Sequence, residues 1–292
     1  MKLWQNFLHP LSIAEALQAM SDCPSPAVII AGGTDIMLDL KQGNHPPVHT
    51  LLDVTAIPEL TRLEIQDGKL FIGAAVPLSR IAASPLVKEH AESLVEACHL
   101  IGGPQVRNVA TLGGNVVHAL PAADGTIAML CLEVQAEVVS MEGTRQVPLV
   151  DLFLGPGRSA LKNGVELLVG FHIPLRMPGQ ASAFRRVMKT QGIALPILNV
   201  SAWLERSNGL ISRIRIASGP SGPTPRRVVS AEEALRGQLP SDDRIESAVD
   251  ALFTEVSFRS SPHRASADYR CHLVGILMRE ALQSAWQRAG TA

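Results

Sequence analysis

Apolar residues come in short blocks punctuated by glycine, proline and acidic residues. Ser12-Ile13-Ala14-Glu15 is a helix-start signature, a serine able to accept from a first-turn amide with a glutamate three residues on. It predicts a short helix to about Met20, broken by residues 22–26. The compact apolar runs 27–30 and 48–54 read as buried strands, and 70–74 as another. Ser84-Pro85 opens a predicted helix, because the fixed φ of proline suits the first helical position. That helix runs to about Leu100 and stops at Gly102-Gly103-Pro104. A helical run over 126–132 and strands near 136–140 and 165–173 follow. Beyond these, 183–188 predicts a strand, and 197–206 with 210–217 flank Ser207-Asn208-Gly209, a hairpin signal because Asn-Gly tolerates the positive φ of a tight turn. A second helix-start signature spans Ser230 to Glu233 with Gly237 as its stop, and 242–256 and 266–288 read as helices. Three units are expected: 1–55, 56–177 and 178–292.

Two of the strand-to-glycine junctions stand out. Ala31-Gly32-Gly33-Thr34-Asp35 follows the run Ile29-Ile30 and precedes Ile36; Thr111-Leu112-Gly113-Gly114-Asn115 has the same form. Without a Cβ, glycine lets backbone N–H groups approach a ligand closely, and successive bare amides make a concavity for phosphate. Two such loops can grip the two phosphates of one dinucleotide. Taken singly, each Gly-Gly reads better as a plain turn after a strand, a reading that suits two loops so alike in setting less well.

Composition narrows the classes. Of 292 residues, 46% are hydrophobic and 18% charged, so a large core is available and some surface is expected to be buried against partners. The net charge of -1, with no block of Lys or Arg, argues against nucleic acid or an anionic membrane. No apolar run reaches the roughly 18 residues of a membrane span. Gln5, Asn6, His9, Pro10 and Glu15 interrupt any signal-peptide core, so a cytoplasmic location is expected. Cys23, Cys98, Cys131 and Cys271 are scattered, the pattern of reduced structural thiols, not of a cluster or a disulfide scaffold. His45 and His49 are four apart, but Pro46 and Pro47 rule out a helical metal pair. No G-x-G-x-x-G occurs, which disfavours a Rossmann fold.

AGGTD at 31–35, QVRNVATLGGN at 105–115 and PAAD at 121–124 resemble the signature of the FAD-binding medium subunit of molybdenum hydroxylases, the xanthine dehydrogenase, carbon monoxide dehydrogenase and aldehyde oxidoreductase group. GPSGPTPRR at 219–227 and SADYR at 266–270 extend the likeness to the C-terminal end. The resemblance implies an α+β protein: a two-subdomain FAD-binding fold of the vanillyl-alcohol oxidase/p-cresol methylhydroxylase type, then a C-terminal α+β domain with a small antiparallel sheet and helices. It implies FAD contacts at Ile29, Ile30, Ala31, Gly32, Gly33, Thr34, Asp35, Ile36, Thr111, Leu112, Gly113, Gly114 and Asn115. Asp124 would accept hydrogen bonds from the ribityl or ring region, and Ile101 and Leu168 would lie against the rings. An N-cap role for Asp124 and plain core packing for Ile101 and Leu168 stay open. Arg185 lies close to where relatives often carry lysine near the flavin; alternatively Arg185-Arg186 is a solvated pair. His118 and Leu120 depart from the Asn and Ser that many relatives carry.

With no nucleophile–base pair evident, the chemistry would be that of the flavin. The implied partners are a small subunit bearing 2Fe-2S clusters and a large molybdopterin subunit, in a dimer of heterotrimers that delivers electrons to NAD or another acceptor. A self-contained flavin-dependent oxidoreductase and a flavin-free scaffold subunit are the alternatives.

Overall fold

The computed structural model describes residues 2–189, 195–262 and 264–290. Its first unit contains strand β1 (Trp4–Leu8), helix α1 (Ile13–Asp22), strand β2 (Val28–Ile30), helix α2 (Ile36–Gln42) and strand β3 (Val48–Asp53). Ser12 caps α1 by accepting from the Glu15 amide at 3.2 Å, and the Glu15 carboxylate accepts from the Leu11 amide. The three strands form a parallel sheet in the order β1-β3-β2. Two elements here were not predicted. β1 is an edge strand with four of its five residues exposed, so it has no apolar alternation to read. α2 has no side-chain cap and is ended by Gly43 at φ +75°.

The second unit holds strands β4 (Leu63–Gln66) and β5 (Lys69–Gly73), helices α3 (Leu78–Ala82), α4 (Pro85–His90), α5 (Glu92–Leu100), α6 (Pro104–Arg107), α7 (Leu112–Val117) and α8 (Asp124–Leu130), and strands β6 (Gln135–Ser140), β7 (Gly143–Pro148), β8 (Phe153–Gly155), β9 (Arg158–Ser159) and β10 (Leu167–Pro174). Five strands pair antiparallel in the order β4-β5-β10-β6-β7. The β4–β5 hairpin turns on Asp67-Gly68, both at positive φ, an Asp-Gly signal that the sequence reading passed over. The predicted helix 84–100 is in fact two, broken at Ala91 (φ −144°, ψ 54°). Ala91 is wholly buried, and neither glycine nor proline marks the break. β10 is buried almost throughout: Leu167 and Val169 pack on the core shared with α1 and β3, while Leu168, Phe171 and Ile173 pack with α5 and α8.

The third unit is a sheet ordered β11 (Gln180–Met188), β12 (Pro196–Ser207), β13 (Leu210–Gly219), β14 (Arg226–Arg227), with helices α9 (Val229–Leu235), α10 (Asp242–Leu252) and α11 (Ala267–Gly290). The predicted hairpin is present, with Asn208 at φ +51° and Gly209 at φ +75° joining Ser207 to Leu210. Both faces of this sheet are covered. Ala181, Ala183, Leu198, Val200, Ile214 and Ile216 turn toward the helices of this unit, whereas Phe184, Trp203 and Ala217 turn toward α5 and α8. The Ser230 signature misled: Val228 is the N-cap of α9, and the buried Glu232 carboxylate accepts from Arg227 and the Ile216 amide. α10 ends at Leu252, four residues short of the predicted limit.

One carboxylate fastens the third unit to the second. Glu96 on α5 accepts from the Phe184 amide at 2.7 Å, Arg185 Nη1 at 3.1 Å and Arg288 Nη2 at 2.6 Å. Removing it leaves a buried amide and two cations short of an acceptor, so Glu96→Ala should cost about 2 kcal/mol. Urea unfolding checks this, with the loss read from the shift in midpoint at constant slope. Among the described residues no helix is long and apolar enough to cross a membrane.

Candidate functional site

The first glycine loop leaves β2 and enters α2. Gly33 sits at φ +66° between residues of ordinary φ, and among the described residues the amides of Gly33, Thr34 and Asp35 donate no hydrogen bond. Successive amides in this conformation form an anion-binding concavity. Ile29, Ile30 and Ala31 form the strand end beneath it, and Ile36 packs under it against Leu40, Val48 and Leu51.

The second loop is built differently from the expected pair of bare-amide loops. Its amides are already engaged: Leu112 to Val76 O, Gly113 to Ala74 O, and Gly114 to the Thr111 hydroxyl, which caps α7. Leu112 and Gly113 are buried, while Gly114 is exposed and Asn115 half-buried. The glycines serve close approach. A Cβ on Gly32 would fall 2.0 Å from Val109 O, and one on Gly113 would fall 2.6 Å from Ala74 O. The first loop therefore touches the backbone just ahead of the second, at Val109 and Ala110, while Gly113 packs on Ala74 after β5; His118 Nε2 lies 4.0 Å from Asp35 Oδ1.

From this junction the polar surface continues into α8. Asn115 Oδ1 accepts from the Thr126 amide at 3.3 Å. Asp124 is the first residue of α8 and not its cap, which is Ala123. Its carboxylate, 4% exposed, accepts from Arg186 Nη1 and from Asn199 Nδ2 at 2.7 Å. Arg186 Nη2 also donates to Leu100 O, which brings the neighbouring Ile101 to the same place. Burial pushes the Asp124 carboxyl above its usual range, opposed by the Arg186 charge and by the bonds from Asn199 and Arg186. Burial likewise pushes the Cys98 thiol well up, and the Asp124 charge adds to it. Cys98 is thus an inert packing residue.

Arg185 and Arg186 are neither a solvated pair nor equivalent. On a strand, neighbouring side chains point to opposite faces. Arg185 turns to Glu96 and to Ser284 on α11, away from Asp124; Arg186, 2% exposed, is the arginine at Asp124. Leu168 is a buried core residue of β10. Arg186, Asn199 and Thr126 were missed by sequence reasoning, since strand parity separates Arg185 from Arg186 without saying which of them faces α8. Arg186 Nε, Asn199 Oδ1 and Thr126 Oγ1 are buried without a partner among the described residues. Buried polar atoms normally find one; Arg186 Nε and Asn199 Oδ1 belong to the two side chains that hold Asp124 inside the protein, while the free amides of the first loop fit phosphate.

The sequence model for the FAD binding domain in molybdopterin dehydrogenase matches residues 4–176, and that for the CO dehydrogenase flavoprotein C-terminal domain matches 183–285. The chain belongs to this FAD-binding subunit family. It is 30% identical to the xanthine dehydrogenase FAD-binding subunit of Escherichia coli O157:H7, over 98% of this chain and 97% of that one. To the nicotine 6-hydroxylase medium subunit of Paenarthrobacter nicotinovorans it is 32% identical, over 97% and 98%. Its fold superposes with a TM-score of 0.91 on the carbon monoxide dehydrogenase structure from Hydrogenophaga pseudoflava that lacks the Mo-pyranopterin moiety of the molybdenum cofactor, at 29% identity over 97% of this chain and 98% of the other. This flavoprotein subunit is accordingly part of an oxidoreductase, with an FAD-binding domain followed by the C-terminal domain of its family.

Proposed function

We propose that this subunit holds FAD across the two glycine loops and Asp124, takes electrons from 2Fe-2S clusters of a small subunit and passes them to NAD or another acceptor. The single observation that carries the reading is the continuity of the site. The three free amides at Gly33–Asp35 stand across from His118 of the second loop's helix, whose Asn115 is hydrogen-bonded to α8, the helix that carries Asp124. An extended ligand with phosphate at one end and a polar ring system at the other matches that run. A flavin supplies the redox chemistry itself, accepting electrons singly and releasing them as a pair. The chain's residues bind and orient it: the Gly33–Asp35 amides hold phosphate, Gly114 leaves room beside it, and Arg186 holds Asp124 in place.

In this reading Arg186, rather than Arg185, is the cation beside the rings, with Ile101 along their edge; Leu168 backs the site from the core. The cysteines of this chain are scattered, so the clusters and the molybdopterin would belong to a small and a large partner subunit, in a dimer of heterotrimers. Support comes from relatives named as medium subunits and from the similar carbon monoxide dehydrogenase, itself an enzyme of the molybdenum cofactor.

Native mass measurement of the untagged assembly tests this directly. The expected result is three kinds of chain, with FAD bound to this one and bleached by organic substrate only in the assembly. Electron exit to NAD is read as NADH formation in the same assembly, and its absence with a dye acceptor still reduced would remove NAD from the reading. A lone chain that oxidises an organic substrate, or one purified colourless from an active assembly, would overturn the proposal.

A further inference from the structure

A second site lies at the other end of α8. After its last turn the chain passes Glu133, and here β13, β14 and the end of α9 bring four arginines together. Arg213, Arg215, Arg227 and Arg236, with Ser212 and Glu133, line a cleft of about 270 Å³. Glu133 and Arg227 also form one wall of an adjoining cleft of about 180 Å³, whose other walls are the apolar Leu130, Val134, Pro148, Leu149 and Val150. None of these residues has a part in the proposed flavin site. α8 has seven residues, and at about 1.5 Å of rise per residue its two ends are about 10 Å apart.

The charges do not cancel within the cleft. Glu133 pairs with Arg215 at 2.7 Å and loosely with Arg213 at 3.9 Å; Glu205 takes Arg213 at 3.5 Å, and the buried Glu232 takes Arg227. Three carboxylates thus serve four guanidiniums, and Arg236 is exposed with no ion pair among the described residues. The cluster is also held in place. Arg213 and Arg215 stand two apart on one face of β13, and both lie over the Trp203 ring, at 5.3 and 3.7 Å from its centroid. Arg215 is further fixed by donating to Cys131 O. Burial pushes its guanidinium down from the usual value; Glu133 opposes this, and the charges of Arg213 and Arg227 add to it. The one guanidinium in excess leaves the cleft net positive, and planar guanidiniums match phosphate oxygens.

We propose that the double cleft binds a small phosphate-bearing molecule with a flat ring, of nucleoside monophosphate size, its phosphate on Arg213 and Arg236 and its ring against Pro148 and Val150. It is a site for a regulating or structural ligand, since an α8-length separation from Asp124 keeps it out of direct exchange with a flavin.

Calorimetric titration of the FAD-saturated full chain with AMP, adenosine and inorganic phosphate as probes tests this. Flavin absorbance is recorded alongside, so that failure to hold FAD is seen separately. The expected result is one AMP per chain, with adenosine and phosphate each at least about tenfold weaker, and AMP affinity falling as salt screens the arginines. The Arg213→Ala/Arg236→Ala double variant, which alters two exposed side chains, should weaken AMP at least about tenfold with flavin content unchanged. No heat with AMP at millimolar concentration, or equal affinity in the double variant, would overturn the site. Inorganic phosphate binding as tightly as AMP would overturn the ring's part in it.

Discussion

An Arg186→Ala protein is expected to lose about 3–5 kcal/mol of stability, because the substitution strands the Asp124 carboxylate in the interior with only Asn199 to satisfy it. Both partners are almost wholly buried, at 2% and 4% side-chain exposure, so solvent cannot make up the loss. Leu100 O would lose its donor in the same step. The neighbouring Arg185→Ala should cost far less, since Arg185 is 28% exposed and Glu96 keeps the Phe184 amide and Arg288 as donors. Paired denaturant curves for the two variants measure the difference, and near-equal losses would show that the Asp124 pair contributes little. Arg186→Lys should recover part of the stability through the charge alone. If the ring end of the flavin lies here, Arg186→Lys should also shift its reduction potential, while Arg185→Ala leaves the potential where it was.

Replacing Gly114 with phenylalanine should abolish FAD retention and leave the chain folded. Gly114 is exposed on α7, and a Cβ there meets only the Thr111 hydroxyl, at 3.2 Å. In the proposed site, bulk at this exposed position takes the room left for the ligand. A glycine inside a helix is also a poor helix former, by about 1 kcal/mol against alanine, so folding should not suffer from its loss. Gly113→Ala is the opposite case: its methyl would fall 2.6 Å from Ala74 O, so it should destabilise the junction whether or not a cofactor binds. Flavin absorbance per chain after gel filtration, beside thermal melts, separates the two effects. Normal FAD content in Gly114→Phe would remove the second loop from the site.

Much of the fold was legible because its signals are local. Ser12 and Glu15 cap a helix within one turn, and Asn208-Gly209 selects a tight hairpin through positive φ at two residues; no distant partner is needed for either. The glycine loops were visible for the same reason, and the motif order around them carried the family. What could not be read was set by partners far along the chain. β1 exists because β3, more than forty residues away, pairs with it in parallel. The break at Ala91 and the cap at Val228, in place of Ser230, answer to burial on neighbouring elements.

The candidate site divides in the same way. The sequence by itself determined that the first Gly-Gly turn ends an apolar strand, that a helix begins near Asp124, and that a pair of arginines sits on a later strand, since each follows from the conformational range of one residue or the period of a few; the second Gly-Gly, read as the same kind of junction, lies instead inside α7. Only the tertiary structure decided that Gly32 and Gly113 serve backbone contact, that the free amides lie on the first loop alone, and that Arg186 rather than Arg185 meets Asp124. The physical reason is that strand parity makes the two arginines opposite but does not say which face is which. That choice falls to the burial of Phe184 against α5 and α8 and of Ala183 against the helices of the third unit, and burial is a property of the assembled layers.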